Sequence, residues 1–198
     1  MGSGNGLARH LKIPLTPKKA LTHLNEAQFE FIDTAFLNNR PFWCTAGGGF
    51  DAVVSAAFNG KKKRGFWSYA HCTFMEWFRY KAPYWSFHFG QKEKVFMLTI
   101  ANADQFGNNA YISPLSNIQD GMLELCVLKE FTFWQLPIIL YRVFTRTIHR
   151  SPYMKVIEGT HFSMQTEHPV PVHIDGESIG KFQHLDISLS PISLKVLV

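Results

Sequence analysis

The 198-residue sequence predicts a mainly β fold of the α+β class: a β-rich body carrying a few helices. Three observations carry this expectation. From Tyr84 onward apolar residues recur with period two, as in Trp85-Ser86-Phe87-His88-Phe89, in short runs bounded by Gly, Asn, Asp and Pro. Ahead of that point Phe66, Tyr69, Ala70, Thr73, Phe74, Trp77 and Phe78 recur at spacings of three and four, a helical stripe. Hydrophobic residues make up 46% of the chain and charged residues 18%, with 15% aromatic, which excludes a disordered chain and provides for a real core.

Taken in order, Gly2-Ser3-Gly4-Asn5-Gly6 opens a first turn leading into Leu7-Ala8-Arg9-His10-Leu11. Thr16-Pro17 reads as an N-cap followed by proline at the first helical position, for a helix to about Leu24. The stretch from Asn25 to Asn39 fits either a strand pair or an irregular link. Phe42 to Ala46 is strand-like, and Gly47-Gly48-Gly49 is expected to end it in a sharp turn before a helix over Phe50 to Phe58. A second helix over Gly65 to Lys81 stops at Pro83. Strands follow at Val95–Ala101, Ala110–Ser113 and Met122–Leu128. Phe133–Phe144 is a helix bent or started at Pro137. The last strands are Met154–Ile157, Thr160–Thr166, Val170–Ile174, Asp186–Leu189 and Leu194–Val198.

Three widely spaced cysteines argue against a secreted disulfide scaffold, and no signal-peptide pattern opens the chain, so a cytoplasmic protein is expected. No apolar run reaches the roughly 20 residues of a membrane span. The net charge of +5 is concentrated in Lys61-Lys62-Lys63-Arg64 and in Arg142, Arg146 and Arg150. Each block fits a solvated face, and each fits lipid headgroups, given the aromatic segments alongside.

Four patterns offer chemistry, and each has a plain structural reading too. Gly2 to Gly6 at a helix start could present bare N–H groups to phosphate, or be a loose tail. Asp51, after three glycines, could hold a polar ligand group or cap its helix. Asp120, in Asp120-Gly121-Met122-Leu123, could ligate a hard cation or form a turn. Asp175-Gly176-Glu177 could place a general base or close a hairpin. The nine histidines lack zinc-site spacing, and no Gly-x-Ser-x-Gly elbow occurs.

In this order, and together with Ile100-Ala101-Asn102, Phe106-Gly107 and Pro114, these motifs resemble the diacylglycerol kinase and sphingosine kinase superfamily of lipid kinases, in its bacterial soluble type. The resemblance spans essentially the whole chain. It implies a two-domain enzyme: a Rossmann-like nucleotide domain, then a β-sandwich, with the active site between them. This chain lacks the Gly-Gly-Asp-Gly-Thr nucleotide loop and begins at the family's second nucleotide-side loop. Residues 1–36 would then be a remnant of the nucleotide domain and 37–198 the C-terminal sandwich. By the same resemblance, Ser3, Gly4 and Asn5 would line the nucleotide cleft, and Asp51 would lie near the lipid's polar head. The helices after it would shape an acyl-chain pocket or simply pack as core. Asp120 and the main chain of Met122 would hold a structural Mg²⁺. Glu177 would be the general base and Asp175 its electrostatic neighbour, with ATP as donor. The partners implied are a lipid substrate, with peripheral membrane contact and a homodimer left open, and no nucleic acid. The competing expectation is a non-catalytic lipid- or partner-binding module, or an inactive fragment.

Overall fold

The structure, a computed structural model, describes residues 4–59, 66–90 and 92–198. Two short helices, α1 (Gly6–His10) and α2 (Pro17–His23), come first. They lead into strands β1 (Phe29–Ile32), β2 (Ala35–Leu37), β3 (Arg40–Phe42) and β4 (Thr45–Gly49). Helices α3 (Phe50–Asn59) and α4 (Phe66–Trp77) follow. Next come β5 (Tyr84–Phe87), β6 (Lys92–Ala101), β7 (Gln105–Gly107), β8 (Ala110–Tyr111) and β9 (Leu123–Lys129). A 3-10 turn (Phe133–Gln135) runs into α5 (Leu136–Phe144), whose start fits Pro137 in its first turn. The chain ends in β10 (Met154–Gly159), β11 (His161–Ile174), β12 (Glu177–Leu189) and β13 (Leu194–Leu197).

The body is a nine-stranded antiparallel sheet in the order β10-β9-β6-β4-β11-β12-β2-β3. The ninth strand, β5, lies end to end with β4 in the gap between β6 and β11. The sheet curls so that one face makes an interior. Leu98 and Ile100 of β6, Leu123, Leu125 and Val127 of β9, and Leu185 and Ile187 of β12 meet there around Trp85 and Phe42. The other face of β6 and β9 carries Ala101, Cys126 and Leu128, which pack under the helices with Phe50, Val54 and Ile139. The period of two thus decides which residues face the interior and which face the helices. A third cluster of Ile32, Cys44, Ala103 and Ile118 receives Leu7 of α1 and Leu11 just after it.

Several expectations are corrected. Gly47 to Gly49 do not end the strand; they are its last three residues. β4 threads between β6 and β11 so closely that a Cβ on Gly47 would stand 2.1 Å from the Leu98 carbonyl oxygen. The glycines therefore permit close strand approach, and only Gly49, at φ 113°, also turns the chain. The strand expected over Phe42 to Ala46 is two strands, because β3 pairs with β2 whereas β4 pairs with β6. Two expected strands, Thr160–Thr166 and Val170–Ile174, are one long β11 with a register shift between Gln165 and Val170. Its partner β12 begins at Glu177, nine residues before the expected Asp186, since the hairpin holds polar residues in register. Residues 25–39 contain two strands that do not pair with each other, since β1 pairs with β13 whereas β2 pairs with β12 and β3. Ser3 and the basic block at 61–64 lie outside the described residues. All three cysteines are free and buried.

Candidate active site

The β11–β12 hairpin is the first element of the site. Ile174 pairs with Glu177, leaving Asp175-Gly176 as a two-residue turn with φ of 48° and 82°. Asp-Gly suits such a turn because both positions need positive φ. The Asp175 residue stands exposed at the turn, but its carboxylate points back into the body. Oδ1 accepts the N–H of Cys44 at 2.8 Å and of Thr45 at 3.0 Å, and Oδ2 accepts the N–H of Trp43 at 3.2 Å. The Asp175 N–H in turn donates to the Thr45 carbonyl at 2.8 Å. Burial raises the Asp175 carboxyl from its ordinary value, against the pull of these three donors. Asp175 therefore braces the hairpin against the start of β4, and Glu177, one residue past the turn, projects exposed.

Replacing Asp175 by Ala leaves three N–H groups without an acceptor and is expected to cost about 2–3 kcal/mol. Asn, which keeps Oδ1 for Cys44 and Thr45, is expected to cost about 1 kcal/mol. Urea unfolding of both variants checks this; equal losses would contradict the bracing role.

Asp51 is the second element. It sits in the first turn of α3, directly after the glycine strand, and is 7% exposed. Its Oδ1 accepts the Ala52 N–H at 2.8 Å. Oδ2 accepts the Thr99 hydroxyl at 3.1 Å and lies 2.9 Å from His173 Nε2. His173 is two residues before Asp175 on β11 and is 1% exposed, and its Nδ1 has no partner. Facing a carboxylate oxygen, which can only accept, Nε2 is the donor of this contact. The Phe106 ring lies 6.4 Å from the His173 ring.

The third element is the N-terminal loop. The Gly4 carbonyl accepts the Asn108 N–H at 3.1 Å and Arg9 Nε at 3.1 Å, and Asn5 bridges to Gly107. Asn5 is left-handed at φ 51° and caps α1 without a side-chain bond. With only five residues, α1 supplies little dipole. The sequence motifs around Gly4, Phe106 and Asp175 are thus consecutive in space: the loop packs on β7, β7 approaches His173, and His173 leads along β11 to the hairpin.

Asp120 and Met122 lie on a neighbouring loop. Asp120 is exposed; its Oδ1 accepts the Met122 N–H at 3.0 Å, and Asp33 Oδ2 accepts the Gly121 N–H at 2.8 Å. Asn102 Nδ2 donates to the carbonyls of both Asp33 and Trp43 at 2.9 Å. One hydrogen-bonded path therefore joins the Asp120 loop to the segment that holds Asp175. Among the described residues no three His, Cys, Asp or Glu side chains cluster as a metal site. The second Asp120 oxygen and main-chain carbonyls remain, an oxygen-only set of the kind a hard cation takes.

Sequence reasoning missed His173, which was weighed only for zinc spacing; its place two residues before the turn acid was the available signal. It also missed Asp104. That carboxylate lies 2.9 Å from His10 Nδ1 and 2.7 Å from Arg146, and it ties α1 to the turn after α5. Burial opposes its charge, but His10, Gln105 and Arg146 outweigh burial and hold the carboxyl below its usual value. A third miss is Glu124, which accepts the Ser116 hydroxyl beneath a cleft of about 240 Å³ lined by Ser113, Leu115, His149 and Glu158. This cleft, like a second of about 220 Å³ near His88 and His184, is lined by none of the hairpin-turn residues.

Burial, with Asp120 and Glu158 nearby, pushes the Glu124 carboxyl up to about 7. The native state then keeps a proton that the unfolded chain loses near pH 4.5, so stability falls as pH rises between these values. Glu124→Gln removes the effect. Its stability advantage over the parent is expected to be near zero at pH 4.5 and to reach about 1–2 kcal/mol by pH 8, after discounting for solvent in the cleft. Thermal melts across that range check it; a gap that does not change with pH would contradict it.

The fold is the sandwich of diacylglycerol kinase structures. The chain matches a Bacillus anthracis (strain Sterne) protein assigned as a diacylglycerol kinase with a TM-score of 0.71 at 18% identity, covering 96% of this chain and 63% of that one. A second diacylglycerol kinase structure from the same strain matches with a TM-score of 0.63 at 15% identity, over 95% and 61% of the two chains. A curated relative from Chromohalobacter salexigens, named "Probable lipid kinase YegS-like", is 26% identical over 182 residues, 89% of this chain and 58% of its own length. Residues 45–198 match the YegS C-terminal NAD kinase beta sandwich-like domain, and the chain belongs to that family. It spans less than two thirds of the length of these relatives.

Proposed function

We propose that this chain is the acceptor-binding and base-bearing part of an ATP-dependent lipid kinase. The reaction moves the γ-phosphate of ATP to a hydroxyl of a diacylglycerol or a long-chain sphingoid base. The observation that carries the reading is the braced hairpin, which holds an exposed Glu177 on the same strand pair as the buried His173–Asp51 contact. A lipid hydroxyl is a weak nucleophile at neutral pH, and a carboxylate within hydrogen-bond reach accepts its proton as the oxygen attacks. The new bond joins that oxygen to the γ-phosphorus, the bond to the bridging oxygen breaks, and ADP leaves. Asp51 closes the acceptor end of the strip; its Oδ1 accepts one N–H and keeps further acceptor capacity for a hydroxyl or amine.

On the donor side, Gly4 and Asn5 form the near edge of the nucleotide cleft, and residues 1–36 belong with the nucleotide-binding part. Asp120, with the Met122 carbonyl, would hold Mg²⁺, whose charge would steady this loop and through Asn102 the Trp43 segment. The test incubates the chain with labelled ATP and a panel of diacylglycerol and sphingoid bases, alone and with a nucleotide domain supplied. Lipid-soluble label is expected with the domain present. Its absence with every lipid would contradict the proposal.

A second reading, a non-catalytic module, is favoured by one feature. Phe29 and Phe31 of β1 and Leu194 of β13 are exposed apolar residues of one two-stranded ribbon, and Leu21 of α2, Leu24 and Ile192 are exposed too. Concentration-dependent self-association through this ribbon, with no ATP affinity, would support it.

A further inference from the structure

The face formed by α4, the 3-10 turn and α5 is built unlike the rest of the surface. Trp134 is 88% exposed, and Ile138, Tyr141 and Phe144 continue from it at spacings of four, three and three, all exposed. An amphipathic helix normally turns such a stripe inward. Here α5 buries Ile139 and leaves its larger apolar side outside. The stripe continues onto α4 through ring contacts: Trp134 to Phe133 at 6.1 Å, Phe133 to Phe78 at 5.9 Å, and Phe78 to Phe74 at 5.2 Å. No helix among the described residues is long and apolar enough to cross a membrane.

We propose that this face is a membrane-docking surface that seats the protein on an anionic lipid bilayer, with Trp134 as its central anchor. Charge chooses the occupant. Residues 131–150 contain Arg142 and Arg150, besides an Arg146 already paired with Asp104, and no acidic residue. A two-fold contact with a second copy would bring these arginines together, whereas anionic headgroups complement them. Chemistry agrees. Trp and Tyr prefer the water–hydrocarbon boundary, where an apolar ring and a polar N–H or O–H are both satisfied. An exposed apolar helix side with flanking arginines lies in that plane without crossing it. The inference deepens the kinase reading, since an acceptor with long acyl chains resides in a bilayer.

The test is co-sedimentation of the full chain with sucrose-loaded vesicles of phosphatidylcholine and phosphatidylglycerol. These contain neither diacylglycerol nor ATP, so the result stands apart from catalysis. The chain is expected to bind these vesicles at least tenfold more tightly than pure phosphatidylcholine. Trp134→Ser with Tyr141→Ser is expected to weaken binding at least tenfold, with unchanged circular dichroism. Because Tyr141→Ser alters a helix, Trp134→Ser alone, in the 3-10 turn, is measured beside it. No binding by the folded parent, or full binding by both variants, would overturn the proposal. So would a dimer in light scattering that Trp134→Ser dissolves, which would give the face to a second copy.

Discussion

Glu177→Gln is expected to lower kcat for lipid phosphorylation by a factor of about 10²–10⁴, with the KM for ATP and the thermal stability unchanged. On the proposed reading the exchange removes a base and little else. Glu177 is exposed, its side chain makes no hydrogen bond among the described residues, and its backbone stays in register with Ile174. The amide has nearly the same shape and cannot take the proton of the acceptor hydroxyl. Transfer to labelled lipid, measured against pH, separates the possibilities. Loss of kcat across the range with normal ATP binding is the expected pattern. Parent-level activity in Glu177→Gln would remove this residue from the chemistry.

The largest expected loss of stability comes from the pair beneath the hairpin. His173→Ala takes from Asp51 a partner at 2.9 Å, in a place where neither residue is more than 7% exposed. A carboxylate left short of a donor in such a site costs about 3 kcal/mol. Asp51→Ala is expected to cost a similar amount, because it leaves His173 Nε2 and the Thr99 hydroxyl without their acceptor. The double variant should lose clearly less than the sum, since each single change strands what the other removes. Urea unfolding of the four proteins gives the coupling. Additive losses would show that the contact contributes nothing to the fold and would leave the floor of the site unexplained.

The long helices and most central strands were legible because their periods are strong. Phe66 to Phe78 reads at three and four, and Leu123, Leu125 and Val127 read at two. The glycine strand was misread for a physical reason. Gly47 looks like a turn signal when no neighbour is known, and becomes a strand residue only once β6 lies against it. The same limit hid the site's supporting contacts. Asp51 and His173 are 122 positions apart, and Asp175 acts on N–H groups 130 to 132 positions away. No local pattern carries such pairings. What could be read was the turn chemistry of Asp175-Gly176, which fixes where Glu177 must stand.

On the proposed reading, the Gly47–Asp51 segment and the Asp175–Glu177 hairpin, linked through His173 and Thr45, serve one acceptor site. Amide chemical shifts of the labelled chain, titrated with a short-chain soluble diacylglycerol, test it most directly. The account predicts saturable shifts that appear together in Gly48 to Ala52 and in Gly176 to Ser178. Shifts confined to the cleft around Glu124 and His149, or to the exposed side of α5, would contradict it.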